Sequence, residues 1–324
     1  MCTAVTYKTK DFYFGRNLDL EYSYHETVTV TPRNYPFCFR NGKTLNTHHA
    51  LIGMATVADN YPLYYEATNE KGLSLAGLNF PQNAVYYDYD EKKANIAPFE
   101  LIPWILGQCA TVREARAMLA ELNLWNTAFS SAYPLSPLHW LLADETEAIT
   151  IESLSDGIRI YENPIGILTN NPPFDFQTHH LASYINLTSR PPENRFSNKI
   201  VLTPYSLGMG AIGLPGDLSS PSRFVKAAFT KLNSVSGNSE LESISQFFHI
   251  LGSVLQQRGL TAVRGEEYEY TLYSSCCNTR RGIYYYTTYE NSQITAVDMH
   301  HCDLDGAQIT AYPLITGQRI NMQN

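Results

Sequence analysis

Two short runs rich in β-branched and aromatic residues, 3–7 (TAVTY) and 12–17 (FYFGRN), flank the polar tetrapeptide KTKD near the start of the chain. That pattern predicts a β-hairpin. A further strand, 73–79 (LSLAGLN), follows a turn at NEKG. Apolar runs at 138–143 and 148–153, and at 158–162 and 165–169, predict two more hairpins. GIYYYTTYENSQITAVDM alternates aromatic and polar positions around YENS, so it predicts another.

Between these strand groups the period changes to that of a helix. Segment 98–109 (PFELIPWILGQC) is apolar at helical spacing. Thr111 and Glu114 have capping-box spacing and open a helix over TVREARAMLAELNL. Pro221 follows two serines and suits the first turn of SRFVKAAFTKLN. SELESISQFFHILGSVLQQRG is amphipathic, with Gly259 as its stop. Strand groups interleaved with helix pairs predict an α+β sandwich of mainly antiparallel sheets covered by helices. No internal repeat or low-complexity linker divides the 324 residues, so one domain is expected.

Charge narrows the function classes. There are 23 Lys and Arg against 31 Asp and Glu, a net charge of −8, which argues against nucleic acid or an anionic membrane as partner. No basic stretch followed by a long apolar run marks a signal peptide or membrane span, and a cytoplasmic protein is expected. Its six cysteines, Cys2, Cys38, Cys109, Cys276, Cys277 and Cys302, are then reduced thiols. His300, His301 and Cys302 lack zinc-ligand spacing, and His48–His49 and His179–His180 read as packing or surface residues. Gly208, Gly210 and Gly213 form a G-x-G-x-x-G pattern, but Pro215 and Gly216 oppose the helix such a site needs. No G-x-S-x-G occurs.

Cys2 is the residue with most chemical promise. Removal of Met1 would give one residue both a thiol and an α-amine, which titrate near about 8.5 and about 8. With KTKD as the loop, Tyr7 faces Phe12 and Cys2 lies opposite Asn17, beside Arg16 and close to Asp19. Arg16 would favour the thiolate, the nucleophilic form, and Asp19 would accept a hydrogen bond from the amine.

MCTA, FGRNLDLEYSY, VTPRNYP, NEKGLSLAGLNFP, PLHWLLAD, GILTNNPPFDF and GLPGDLSSPSRF together resemble the choloylglycine hydrolase family, and within it the bacterial bile salt hydrolases. The resemblance runs in order from Cys2 to the YENSQITAVDM segment. It implies the N-terminal nucleophile αββα sandwich, with Cys2 as nucleophile once Met1 is gone. By motif it implies that Arg16 and Asp19 tune the thiol and amine. Asn79 and Asn170 then position the amine and stabilise the oxyanion, and Arg223 completes the polar site. Leu18, Phe129 and Tyr133 match substrate-pocket positions. The implied reaction cleaves glycine or taurine from conjugated bile acids, a small-molecule substrate, without metal or organic cofactor, in a homotetramer. Related penicillin V acylases carry tyrosine where Asn79 stands, so GLNF favours bile salts. Penicillin V or another N-acyl amide as substrate, and a non-catalytic bile-acid binder, are the alternatives. Leu207, where a basic residue would hold a sulfonate, suggests glycine over taurine.

Overall fold

The computed structural model describes residues 1–324. The opening hairpin pairs strand β1 (Cys2–Lys8) with strand β2 (Phe12–Leu20). Its register differs from the sequence expectation by one: Tyr7 faces Tyr13, and Cys2 faces Leu18 rather than Asn17. Lys8 joins the ladder opposite Phe12, leaving a three-residue loop, 9–11. A one-residue slip exchanges the faces of a strand. The observed register gives Cys2 a common face with Leu18 and Arg16, and turns Asn17 and Asp19 the other way.

Seven strands form the first sheet. Its path runs Ile167–Leu168, β1, β2, Tyr268–Asn278, Ile283–Thr288 and Asn291–Asp298, and Thr261–Ala262 pairs with Tyr268–Asn278. The second sheet has eight strands, in the order Gly157–Glu162, Ala148–Leu154, Leu138–Ala143, Ser74–Asn79, Tyr61–Asn69, Leu51–Ala58, Thr27–Thr31 and Thr310–Pro313. Pairing within both sheets is antiparallel. A small separate pair, Ala94–Ile96 with Leu122–Leu124, is parallel.

Five α-helices cover the outer faces. Helices α1 (Leu101–Leu106) and α2 (Val112–Ala120) share an apolar core with the second sheet, through residues such as Leu51, Leu75, Leu142 and Ile151. Helices α3 (Phe174–Leu181), α4 (Ser220–Asn233) and α5 (Glu240–Gly252) lie on the side of the first sheet. Phe224 of α4 and Phe247 of α5 are fully buried there, each worth about 1.5–3 kcal/mol of burial. The same core continues between the sheets through Val28, Ile52, Ala76 and Leu141. The layers are therefore αββα.

Three elements depart from the sequence pattern. The helix opened by Thr111 ends at Ala120, and Leu122–Leu124 becomes a strand. Its Glu114 carboxylate reaches Ala110 N instead of Thr111 N, so the cap is one-sided. Helix α5, whose Ser239–Glu242 capping box is complete, stops at Gly252, seven residues before Gly259. The chain beyond it turns inward and buries Gln256. Finally, 165–169 does not hairpin with 158–162. Gly157–Glu162 stays in the second sheet, and Ile167–Leu168 crosses to the first, where Ala4 faces Leu168.

Gly15 marks the closest approach of β2 to its neighbour. A Cβ there would lie 2.0 Å from the Ser275 carbonyl oxygen. Gly15→Ala is expected to destabilise by about 3 kcal/mol or more, read as a large drop in thermal midpoint.

Candidate active site

Cys2 begins the hairpin at the rim between the two sheets, and crossing segments bring the remaining groups to it. Its backbone N–H donates to Asn170 Oδ1 at 2.8 Å. Asn170 arrives here because Ile167–Leu168 pairs with β1 just before it. Asn170 Nδ2 donates to the Asn79 carbonyl at 2.7 Å, tying the end of the Ser74–Asn79 strand to the same point.

Arg223 locks this junction. Its side chain, 1% exposed in the first turn of α4, donates from Nη1 to the Cys2 carbonyl at 2.5 Å and to Thr3 Oγ1 at 2.6 Å. Nη2 donates to Asn170 Oδ1 at 2.7 Å, and Nε to the Leu218 carbonyl at 3.0 Å. Burial lowers its pKa, while Asp19 and Cys2 oppose that loss of charge. Every N–H of such a group needs an acceptor when buried, which is why α4 tolerates a cation near its N-terminus.

Arg16 and Asp19 are both fully buried, on opposite faces of β2. Arg16 Nη1 donates to the carbonyls of Gly77 at 2.6 Å and Tyr65 at 3.1 Å in the facing sheet. Burial works against its charge, but Cys2, Tyr273 and Glu66 outweigh it and raise the pKa above the ordinary arginine value. Asp19 Oδ1 accepts from Thr271 Oγ1 at 2.6 Å, and Oδ2 from Gln256 Nε2 at 3.4 Å. With Met1 attached, its ammonium donates to the Asp19 carbonyl at 2.8 Å and pairs with Glu269. Burial lowers the pKa of that ammonium, and Cys2 and Asp19 partly offset the effect.

Cys2 opens onto a cavity of about 300 Å³, in which 16 of 23 lining residues are hydrophobic. Leu18, Asn79, Phe129 and Tyr133 all line it, as does Arg16. Phe99 and Phe129 meet edge-on at 5.3 Å, and Arg40 donates to the Phe129 carbonyl, holding the wall segment in place. The walls also include Leu20, Tyr24, Tyr65 and Ile102, which sequence reasoning missed. Leu20 was within reach, because it follows Leu18 by two on the same strand face. Leu207 is 91% exposed and does not line this cavity.

A buried cysteine with the Arg16 guanidinium on its own strand face and Arg223 on its carbonyl, beside a fixed acceptor for its own nitrogen and facing an apolar cavity, is equipped to attack a carbonyl. Residues 2–312 match the profile of linear amide C–N hydrolases of the choloylglycine hydrolase family. The chain belongs to the choloylglycine hydrolase family. It is 57% identical over 314 residues to a bile salt hydrolase/transferase of Lactiplantibacillus plantarum, covering 97% of each chain. Crystal structures of conjugated bile acid hydrolase from Clostridium perfringens share its fold with a TM-score of 0.92, 37% identity and 100% coverage of both chains. Penicillin V acylase from Agrobacterium tumefaciens, at 20% identity, TM-score 0.74 and coverage of 96% and 90%, shares the fold. This choloylglycine hydrolase relative thus has the N-terminal nucleophile sandwich around its candidate site.

Proposed function

We infer that this protein hydrolyses the amide bond of glycine- and taurine-conjugated bile acids, with Cys2 as nucleophile after removal of Met1. The observation that carries the reading is a cysteine at the head of β1, set among buried polar groups and opening on an apolar cavity. A steroid acyl group suits such walls, and the family relatives named above are bile salt and bile acid hydrolases.

In this reading the freed α-amine accepts the thiol proton and the thiolate attacks the amide carbonyl. The carbon–nitrogen bond breaks, the amino acid leaves with the proton returned by the ammonium, and a thioester remains. Water then attacks the thioester, yielding free bile acid and the thiol. Asn170 Oδ1, already bonded to Cys2 N at 2.8 Å, orients the amine, assisted by Asp19. Arg223 fixes Asn170, and Arg16 favours the thiolate. Asn79, exposed at the cavity, presents an amide N–H to the oxyanion, a contribution of about 3–4 kcal/mol for such a donor. Leu18, Phe129 and Tyr133 hold the steroid.

The chain acts as one domain, 1–324, assembled as a homotetramer in the cytoplasm; the family resemblance supports the assembly. No helix is long and apolar enough to cross a membrane. Light scattering on purified enzyme tests the tetramer.

Product analysis on glycine conjugates, taurine conjugates and penicillin V in parallel tests the activity. Stoichiometric release of amino acid and free bile acid is expected, with penicillin V turned over at least about tenfold more slowly. Faster turnover of penicillin V would reassign the substrate, and binding without release would make the protein a non-catalytic binder.

A further inference from the structure

Beneath Arg16, on the side away from solvent, lies a second carboxylate that the reaction above does not use. Glu66 sits on the Tyr61–Asn69 strand of the second sheet and is 1% exposed. Three hydroxyls converge on it from the first sheet. Tyr273 Oη donates to Oε2 at 2.8 Å, Ser275 Oγ to Oε1 at 2.9 Å, and Tyr284 Oη also to Oε1. Arg16 Nε lies 3.8 Å from Oε2 and has no other partner.

This donor set favours the ionised form of the group. Ser275 Oγ accepts from Arg16 N at 3.1 Å, and its own proton has Glu66 Oε1 at 2.9 Å as a nearer acceptor than the Arg16 carbonyl at 3.5 Å. Neither phenol has another acceptor, and a protonated carboxyl would have to donate against one of them. Burial holds the Glu66 pKa above the ordinary carboxylate value, and Arg16 with the hydrogen bonds from Tyr284, Tyr273 and Ser275 offsets only part of that rise. Cys277 is the remaining titratable group facing it, its thiol pushed up to about 12 chiefly by burial.

We propose that Glu66 is a positioning residue for Cys2: its carboxylate orients the Arg16 guanidinium from behind and offsets part of its charge, which sets how acidic the Cys2 thiol is. The inference rests on Cys2 being the nucleophile. Two carbonyls hold Arg16 Nη1, but the Nε edge has only Glu66. A carboxylate behind the guanidinium offsets part of the positive charge felt by the sulfur, so the thiolate forms without becoming inert. Nucleophilicity falls as thiol pKa falls, with a Brønsted slope of about 0.4–0.5. An uncompensated arginine would give more thiolate of lower reactivity.

Alkylation of Cys2 by iodoacetamide across pH, followed on the Cys2 peptide by mass spectrometry, reads the thiol without any substrate. In Glu66→Gln the midpoint should fall by about one pH unit, and the plateau rate should fall about threefold. Turnover of conjugated bile salt should lose roughly ten- to a hundredfold in kcat with KM within about twofold, because Glu66 lines no part of the cavity. Glu66→Asp, which keeps the charge, should restore the midpoint. A merely structural role would lower the melting temperature and leave the midpoint in place, which would overturn the proposal. If Glu66→Gln does not fold, Tyr273→Phe/Tyr284→Phe removes both phenol donors and lets Glu66 take up a proton; its midpoint should move the same way, and an unmoved midpoint again overturns the proposal. Failure of the nucleophile assignment shows separately, as turnover surviving in Cys2→Ala.

Discussion

Cys2→Ser is expected to lose at least about a thousandfold in kcat while melting close to the wild-type temperature. The hydroxyl replaces the sulfur with little change of shape at a residue only 3% exposed, so the apolar contacts with Leu18 and the hydrogen bonds of the backbone survive. Cys2 N still donates to Asn170, and the Cys2 carbonyl still accepts from Arg223. What changes is the acidity and softness of the attacking atom. A thiol ionises near about 8.5, within reach of a neighbouring amine and two guanidinium groups; a serine hydroxyl in the same place ionises far less readily. Bile-acid binding, measured by calorimetry, should remain, because the cavity walls are untouched. Release of amino acid at a tenth of the wild-type rate would remove Cys2 from the role of nucleophile.

The parts of this fold written in local pattern were readable from the chain alone. Strand alternation gave the 138–143 and 148–153 hairpin and the YENS hairpin in place, and helix periodicity gave α4 and α5 their starts. Loop length was not readable in the same way. KTKD has four polar residues, but the third strand of the ladder, Tyr268–Asn278, must also pair with β2, and the resulting register takes Lys8 into the strand. That single residue decides which face Cys2 shares with Arg16. The site itself divides along the same line. Motif resemblance named Arg16, Asp19, Asn79, Asn170 and Arg223, all of which the fold assembles around Cys2. Glu66, Tyr273, Tyr284, Gln256 and Thr271 carry no motif, because their roles arise only when β2 is sandwiched between Tyr268–Asn278 and the opposite sheet. Gln256 reaches Asp19 only because α5 stops at Gly252.

An enzyme carrying an extra lysine between Met1 and Cys2 should fold normally and be almost inactive. Every side chain of the site is kept, and although the Met1 ammonium is buried beside Asp19 and Glu269, the Met1 side chain is partly exposed and marks a way out for the added residue. Lysine blocks trimming of the initiator methionine, so the Cys2 nitrogen remains a peptide amide. An amide nitrogen donates its proton, as Cys2 N does to Asn170 at 2.8 Å, but its lone pair is delocalised into the carbonyl and cannot accept the thiol proton. The contribution of a general base, typically about 10²–10⁴-fold, should therefore vanish. Folding should be little affected, since a strand end can pass one more residue outward. Intact mass confirms the added residues, and thermal melting within a few degrees of wild type separates lost chemistry from lost structure. Normal turnover of conjugated bile salts by this variant would show that the α-amine is not the base. The thiol proton would then need an acceptor other than the α-amine, on the face of β2 that Cys2 shares with Arg16.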